Sequence, residues 1–438
     1  MTTVSSSYLG PSRRSGSART RPVDRPYART RPVDTSSDLL SLLPGGDDAL
    51  SWVQHGEGLV GWGQAARFEP SGADRFVDAA DWWRDFAADA EVYDEVGVPG
   101  SGLVAFVSMA FADDPGDSVL VVPEVVVGRR DGVTWVTEIS ARSLTPRPAG
   151  AMHPVRPVRT PSTVRYATGQ LSVTAYRDAV DKAVRRLRDH ELSKVVLAHD
   201  LLATIPDEDG PVDPRYLLHG LADRYPNCWV FAVDGLVGAT PELLLRRSGN
   251  TVSARVLAGT VWPREDMDTE ALAATLLHSA KNREEHRYAV ESLADTLRPF
   301  CTTLSVPAEP EVLRLRNVLH LATDVDGTLA DDVSLLTLTG ASHPTAAVGG
   351  TPRAAAVSLI TELEGMDRGR YAGPVGWIDS AGDGEFGIAL RCAQVSGNSV
   401  RLFAGCGIMA DSDPDSEVAE AGAKFVPIRD ALESVREP

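Results

Sequence analysis

The sequence predicts an α+β protein built around a large mixed sheet system, on three observations. Short strand-like runs come in groups, with helix-like stretches between the groups. With 438 residues and 43% hydrophobic content, the chain can bury a large core, as one big domain or two to three smaller ones. No Gly-x-Gly-x-x-Gly follows a strand-like run, and there is no Walker A loop and no Gly-x-Ser-x-Gly, so Rossmann, P-loop and α/β-hydrolase layouts lack support.

Along the chain, residues 1 to about 36 are rich in Ser, Arg and Pro and poor in large apolar side chains. Such a segment buries too little apolar surface to offset its ordering entropy, and a disordered tail is expected over 1–36. The heptapeptide Ala-Arg-Thr-Arg-Pro-Val-Asp occurs twice within it, at 18–24 and 28–34, and reads as a duplicated linker. A short helix is expected over 78–91 and buried strands over 103–107 and 118–122. Residues 144–163 carry five Pro and read as a connector.

Beyond the connector the pattern sharpens. Residues 172–190 place Tyr176, Val180, Ala183 and Leu187 on one helical face, with Arg, Lys and Asp on the other. Residues 194–199 read as a strand, and 229–233 and 243–247 as strands flanking a turn at 239–241. A long helix, broken once, is expected over 269–297, and another over 351–363. Residues 371–379, 385–395 and 400–404 read as three successive antiparallel strands joined by Gly-containing turns.

Composition narrows the function classes. Cys228, Cys301, Cys392 and Cys406 are far apart with no Cys-x-x-Cys, which argues against a zinc ribbon or a disulfide scaffold and fits a reducing cytoplasm. No apolar run approaches the ~20 residues needed to cross a bilayer, and the N-terminus lacks the apolar core of a secretory signal. Positions 1–34 hold seven Arg and two Asp, a net +5, so a chain of formal charge −18 carries −23 on the remainder. A body this acidic repels phosphates, so no nucleic-acid partner is expected, and the lack of a long apolar run leads to the expectation of no membrane partner. An anionic substrate would need a few local cations and a metal.

Several residues can carry chemistry. Glu417, Glu420 and Lys424 share one face of a predicted helix. Two stacked carboxylates with no nearby His or Cys suit a hard divalent cation such as Mg²⁺, although most such pairs are solvated helix faces. Lys194 opens an apolar strand, where a lysine either snorkels to water or is desolvated toward a base. Glu242 sits between the Thr240-Pro241 turn and an apolar strand, where a raised pKa would suit a general acid and a surface charge is the plain alternative. Of Glu284 and Glu285, at most one reaches an inward site, and His286 is a ligand or a packing residue. The run 341–353 is dense in small residues and glycine, which lets a ligand approach backbone amides. Pro352 there starts a helix whose N-terminus favours anions, and Gly405-Cys406-Gly407 offers a second close-approach loop.

These segments together resemble the chorismate-binding enzymes: isochorismate synthase, salicylate synthase, anthranilate synthase component I and aminodeoxychorismate synthase component I. The matching blocks are 193–198, 239–244, 257–260, 281–286, 343–352, 389–393, 403–408 and 416–424, in order over 164–430, about 60% of the chain. The resemblance implies a single domain over 37–438 with two large mixed or antiparallel sheets packed together and helices outside. It implies an Mg²⁺-dependent isomerase in which Lys194 deprotonates water for attack at C2 of chorismate and Glu242 protonates the departing C4 hydroxyl. Glu285 and Glu420 would hold Mg²⁺, with Glu417 in support. Arg391, Lys424 and the Gly407 amide would bind the enolpyruvyl carboxylate, with His320, Gly259, Thr260 and Ala347 lining the substrate.

Lys194 is absent from relatives that use ammonia and points to water as nucleophile. Ala347 replaces a threonine found in members that also eliminate pyruvate, so isochorismate synthase is favoured and salicylate synthase is the alternative. No obligatory amidotransferase subunit is implied, and a monomer is expected. A non-catalytic scaffold would have lost the lysine or a metal carboxylate, and this chain retains both. Cys406 stands where many relatives have alanine, and Gly349-Gly350 replaces a more usual Ser-Gly. Whether the product feeds menaquinone, a siderophore or another metabolite is left open.

Overall fold

The computed structural model describes residues 25–141, 155–261 and 268–433, apart from 47, 115, 316 and 317. Among these residues the strands form a thirteen-stranded sheet and a ten-stranded sheet. All pairings are antiparallel except one, between Tyr27–Pro32 and Glu91–Asp94 at one end of the larger sheet.

Local sequence makes the hairpins. His55-Gly56, Asp131-Gly132 and Asp234-Gly235 each place two residues at positive φ between paired strands, the two-residue turn whose twist matches that of the flanking strands. Chain-distant segments then complete each sheet. Leu50–Gln54 pairs with Trp229–Val233 in the first, and Val104–Ser108 pairs with Pro374–Asp379 in the second. The buried Trp52 indole joins the two sheets, packing against Trp229 and donating to Glu385 Oε2 at 2.9 Å.

Eight helices lie among the described residues: α1 (Arg75–Asp89), α2 (Val173–Arg188), α3 (Pro214–Arg224), α4 (Thr269–His278), α5 (Ala280–Leu297), α6 (Leu335–Ser342), α7 (Arg353–Glu364) and α8 (Pro414–Glu433). Helices α2, α3, α7 and α8 cover the first sheet, and α4, α5 and α6 cover the second. Helix α2 shows why the sequence reads so clearly there. Ser172 caps it by accepting from the Ala175 amide, and Tyr176, Val180, Ala183 and Leu187 are all buried. The break expected within 269–297 falls at Ser279, whose hydroxyl accepts from the Asn282 amide and restarts the helix as α5. None of the described helices is long and apolar enough to cross a membrane.

Two expectations need correction. The tail expected to be disordered over 1–36 is ordered in its last part: Tyr27–Pro32 is a strand inserted between Val133–Ser140 and Glu91–Asp94. The alternation Ala-Arg-Thr-Arg turns the small residues inward, so Ala28 and Thr30 are fully buried and the arginines face out. The Thr30 hydroxyl meets Thr137 Oγ1 at 2.8 Å and accepts from the Gly102 amide at 2.9 Å. The first heptapeptide copy, 18–24, lies outside the described residues. The strand expected over 385–395 is two strands, Gly384–Ile388 in the second sheet and Cys392–Ser396 in the first, with a corner between them.

Candidate active site

Sheet crossings build the site. Leu236–Thr240 belongs to the first sheet and Leu243–Ser248 to the second, so Glu242 sits where the chain passes between them. Arg391 sits at the companion crossing, between Gly384–Ile388 and Cys392–Ser396, in a left-handed backbone conformation (φ 47°). The two corners are tied by backbone bonds. The Glu242 carbonyl accepts from the Ile388 amide at 3.3 Å and the Arg391 carbonyl from the Ala239 amide at 3.2 Å. Beside them run the neighbouring first-sheet strands Lys194–Thr204 and Ser399–Ile408, which contribute Lys194 and Gly407. A cavity of about 220 Å³ opens between these elements, α5 and α8, and all twelve site residues named from the sequence line it.

Three groups are distinguished by their contacts. In the first, Lys194 Nζ donates to Glu285 Oε1 at 2.8 Å, both side chains being largely buried. A Cβ on Gly407 would come within 2.9 Å of Lys194 Cε and 3.4 Å of Glu285 Oε1, so the glycine leaves the space in which this pair meets. Burial pushes the Glu285 carboxyl up, but the charges of Lys194, Lys424 and Lys281 hold it below the usual carboxylate range. Glu284, one residue away, is exposed and accepts from Tyr288, so Glu285 is the inward member of the two.

The second group is a chain of side chains. Arg391 Nη2 lies 3.2 Å from His320 Nε2, and His320 Nδ1 lies 3.0 Å from Thr260 Oγ1. A guanidinium only donates, so Nε2 accepts and the ring proton resides on Nδ1, directed at Thr260. Burial and the Arg391 and Lys424 charges keep His320 neutral by pulling its pKa well below the ordinary value.

The third group is on α8. Lys424 Nζ donates to the Gly405 carbonyl and to Glu420 Oε1, both at 2.8 Å. Carboxylate oxygens of Glu417 and Glu420 and the Cys406 sulfur all lie within 4.8 Å of one another. Burial raises the Glu417 carboxyl, and the Glu420 charge adds to that rise. Cys406 Sγ donates to the Glu417 carbonyl at 3.4 Å and is engaged as a thiol. A cysteine thus lies beside the pair, contrary to the sequence expectation, but the candidate ligand atoms apart from it are carboxylate oxygens, one of which accepts from Lys424, and such oxygens fit a hard divalent cation. Glu285 lines the same cavity but is turned to Lys194 rather than to this pair.

Glu242 lies between the first two groups. Burial pushes its carboxyl up to about 8, against the opposing pull of Lys194 and Arg391. It is therefore an acid at neutral pH.

Other sequence candidates fall elsewhere. His286 is a packing residue, its nitrogens 3.1 Å from the Ala258 carbonyl and 2.7 Å from Thr323 Oγ1. His343 is buried against the Phe111 carbonyl at 2.9 Å. The N-terminus of α7 does not border the cavity, to which the 341–353 run contributes Ala347 and Val348 instead. Gly350-Thr351 forms a short strand against Lys194-Val195, and a Cβ on Gly350 would fall 2.2 Å from the Lys194 carbonyl. Lys281 and Tyr371 are among the lining residues to which the sequence assigned no role. Lys281 stands one helical turn before Glu285, a spacing that signals a shared face, and Tyr371 is a buried ring stacked on Phe403.

Comparison with known proteins adds to this geometry. The sequence profile of the chorismate binding enzyme family matches residues 49–433. The isochorismate synthase DhbC of Bacillus subtilis is 40% identical over 264 residues, 57% of this chain and 65% of that protein. The isochorismate synthase EntC of Escherichia coli K12 is 38% identical over 259 residues, 58% of this chain and 65% of that protein. The chain thus matches just under two thirds of the length of these relatives. The solved structure of MenF, a menaquinone-specific isochorismate synthase of Escherichia coli, superposes with a TM-score of 0.75 at 26% identity, covering 94% of this chain and 95% of that one.

Proposed function

Because this chain belongs to the chorismate binding enzyme family, we propose that it is an isochorismate synthase. The observation that carries this is the pairing of a buried, protonated carboxyl with a buried lysine on one cavity: Glu242 and Lys194. A hydroxyl leaves carbon poorly unless it is protonated, and water attacks poorly unless it is deprotonated. One cavity that holds an acid at one sheet crossing and an amine on a separate strand supplies both needs.

In this reading chorismate binds with its enolpyruvyl carboxylate toward Arg391, Lys424 and the Gly407 amide. Thr260 and His320 hold Arg391 in place through the hydrogen-bond chain described above. Lys194 takes a proton from water as the oxygen bonds to C2. The ring double bonds shift, the C4–O bond breaks, and Glu242 gives its proton to the departing hydroxyl. One water enters and one leaves, so the net change is an isomerisation. The protein finishes with Lys194 protonated and Glu242 ionised, and solvent resets both. Glu285, Glu420 and Glu417 would hold Mg²⁺, which supplies positive charge for the ring carboxylate. Lys194 donates to Glu285 in this structure, so its use as a base requires Glu285 to turn to another cation. No amidotransferase partner enters the scheme.

The test is chromatography after incubation with chorismate and Mg²⁺ and no ammonia. Isochorismate as the product supports the reading. Salicylate with pyruvate would assign the salicylate synthase activity instead, and dependence on ammonia would refute water as the nucleophile.

A further inference from the structure

The strand that carries Lys194 has an interrupted outer edge. Its inner edge pairs continuously with Ser399–Ile408 from Val195 to Thr204. On the outer edge Gly350-Thr351 pairs with Lys194 and Val195, and Arg165–Thr168 pairs with Leu201 to Thr204. Among the described residues no strand covers the positions between. There the Val196 amide donates to the Gly349 carbonyl at 2.8 Å, and the Val196 carbonyl and the Ala198 amide are among the groups on this edge with no strand partner.

Two side chains fill the gap. Arg368 Nη2 donates to the Val196 carbonyl at 2.7 Å, and the Ala198 amide donates to Glu364 Oε1 at 2.7 Å. The two are ion-paired through Arg368 Nε and Glu364 Oε2 at 2.9 Å, with 2% and 1% of their side chains exposed. The same guanidinium reaches across with Nη1 to the Val348 carbonyl at 3.0 Å, and the Phe111 ring packs over it at 4.2 Å. One planar fork therefore holds two carbonyls that belong to different walls of the cavity. Val196 shares the strand face of Lys194, and Val348 follows Ala347. A buried ion pair offers little stability over an apolar pair of the same volume, so its use here has to be explained by placement.

We propose that Arg368, seated by Glu364, is a positioning residue that fixes the Lys194 strand relative to the Ala347 loop, and so sets where the base meets the ring. This rests on the isochorismate synthase reading above. A lysine at 368 keeps the charge but lacks the fork that spans Val196 and Val348.

The test is steady-state turnover of chorismate by wild type and Arg368→Lys, normalised to the folded fraction. The variant is expected to lose about 10²-fold in kcat, the scale of a ~1 Å misplacement, with KM within about threefold of wild type. Guanidinium ion added to Arg368→Ala is expected to restore about tenfold of the lost kcat, and methylammonium to restore none. Glu364→Gln, which keeps an acceptor for the Ala198 amide, is expected to lose less activity than Glu364→Leu. Wild-type kcat per folded molecule in Arg368→Lys would overturn the proposal. Where the lysine variant does not fold, the two Glu364 variants decide: equal wild-type kcat per folded molecule in Glu364→Gln and Glu364→Leu would overturn the proposal. A wild-type chain that does not convert chorismate at all would instead bring down the functional reading, and this proposal with it.

Discussion

Lys194 Nζ and Glu285 Oε1 stand 2.8 Å apart in the cavity beside Gly407, where a Cβ would come within 2.9 Å of Lys194 Cε and 3.4 Å of Glu285 Oε1. The pair joins the residue assigned as base to a residue assigned as metal ligand, and the Lys194 charge helps to hold the Glu285 carboxyl below the usual carboxylate range. Lys194→Ala is expected to reduce turnover by at least about 10²-fold while chorismate binding, followed by calorimetry, persists. Gly407→Ala is expected to lower kcat with little change in Tm. Unchanged turnover in Lys194→Ala would remove it as the base.

Glu242 gives a pH dependence in two quantities. As the acid it must hold its proton, so kcat/KM is expected to fall as pH rises through about 8. Stability follows the same group. An unfolded glutamate ionises near about 4.3, whereas folded Glu242 keeps its proton up to about 8. Between those values the unfolded chain binds fewer protons than the folded one, so stability contributed by this site falls as pH rises and levels off above about 8. Glu242→Gln removes the dependence. It is expected to be inactive, to melt a few degrees above wild type at pH near 8, and to match it near pH 4. Equal melting temperatures at both pH values would contradict the buried, protonated acid.

Ala347 lines the cavity beside Val348. Ala347→Thr is expected to introduce pyruvate release, measured by coupling to lactate dehydrogenase. An absence of pyruvate would take the discriminating role away from this position.

The carboxylates of α8 are expected to make turnover metal-dependent. Excess EDTA should abolish activity and Mg²⁺ should restore it. Glu417→Gln and Glu420→Gln should each raise the Mg²⁺ concentration for half-maximal rate by about tenfold or more. Full turnover in EDTA would contradict the assignment.

The N-terminal strand carries a structural prediction. Thr30→Val leaves the Gly102 amide and Thr137 Oγ1 without their partner inside the sheet, and a loss of about 1–3 kcal/mol in urea denaturation is expected. No loss would mean that the segment contributes little to the fold.

How much of this was legible depends on what each residue answers to. Helix α2 was, because one face is apolar and a serine caps it. Glu242 and Arg391 were legible as residue types in matching blocks, but not as the twin corners they are. Local periodicity runs on through 385–395, and the break at 389–391 is imposed by passage between two sheets. Tyr27–Pro32 was missed because its inward residues, Ala28 and Thr30, are small, and its charged residues dominate the composition. Three Asp-Gly or His-Gly hairpin turns were readable from sequence and went unread. Arg368 and Glu364 could not be found by pattern, since their meaning lies in a gap on the edge of another strand.

Conversion of chorismate in water enriched in heavy oxygen, followed by mass spectrometry of the isochorismate, tests the central claim most directly. Attack by a water that Lys194 activates, with loss of the hydroxyl that Glu242 protonates, predicts one heavy oxygen in every product molecule. Isochorismate that carries only the original oxygens would mean that the hydroxyl migrates within the substrate, and the roles of both residues would be wrong.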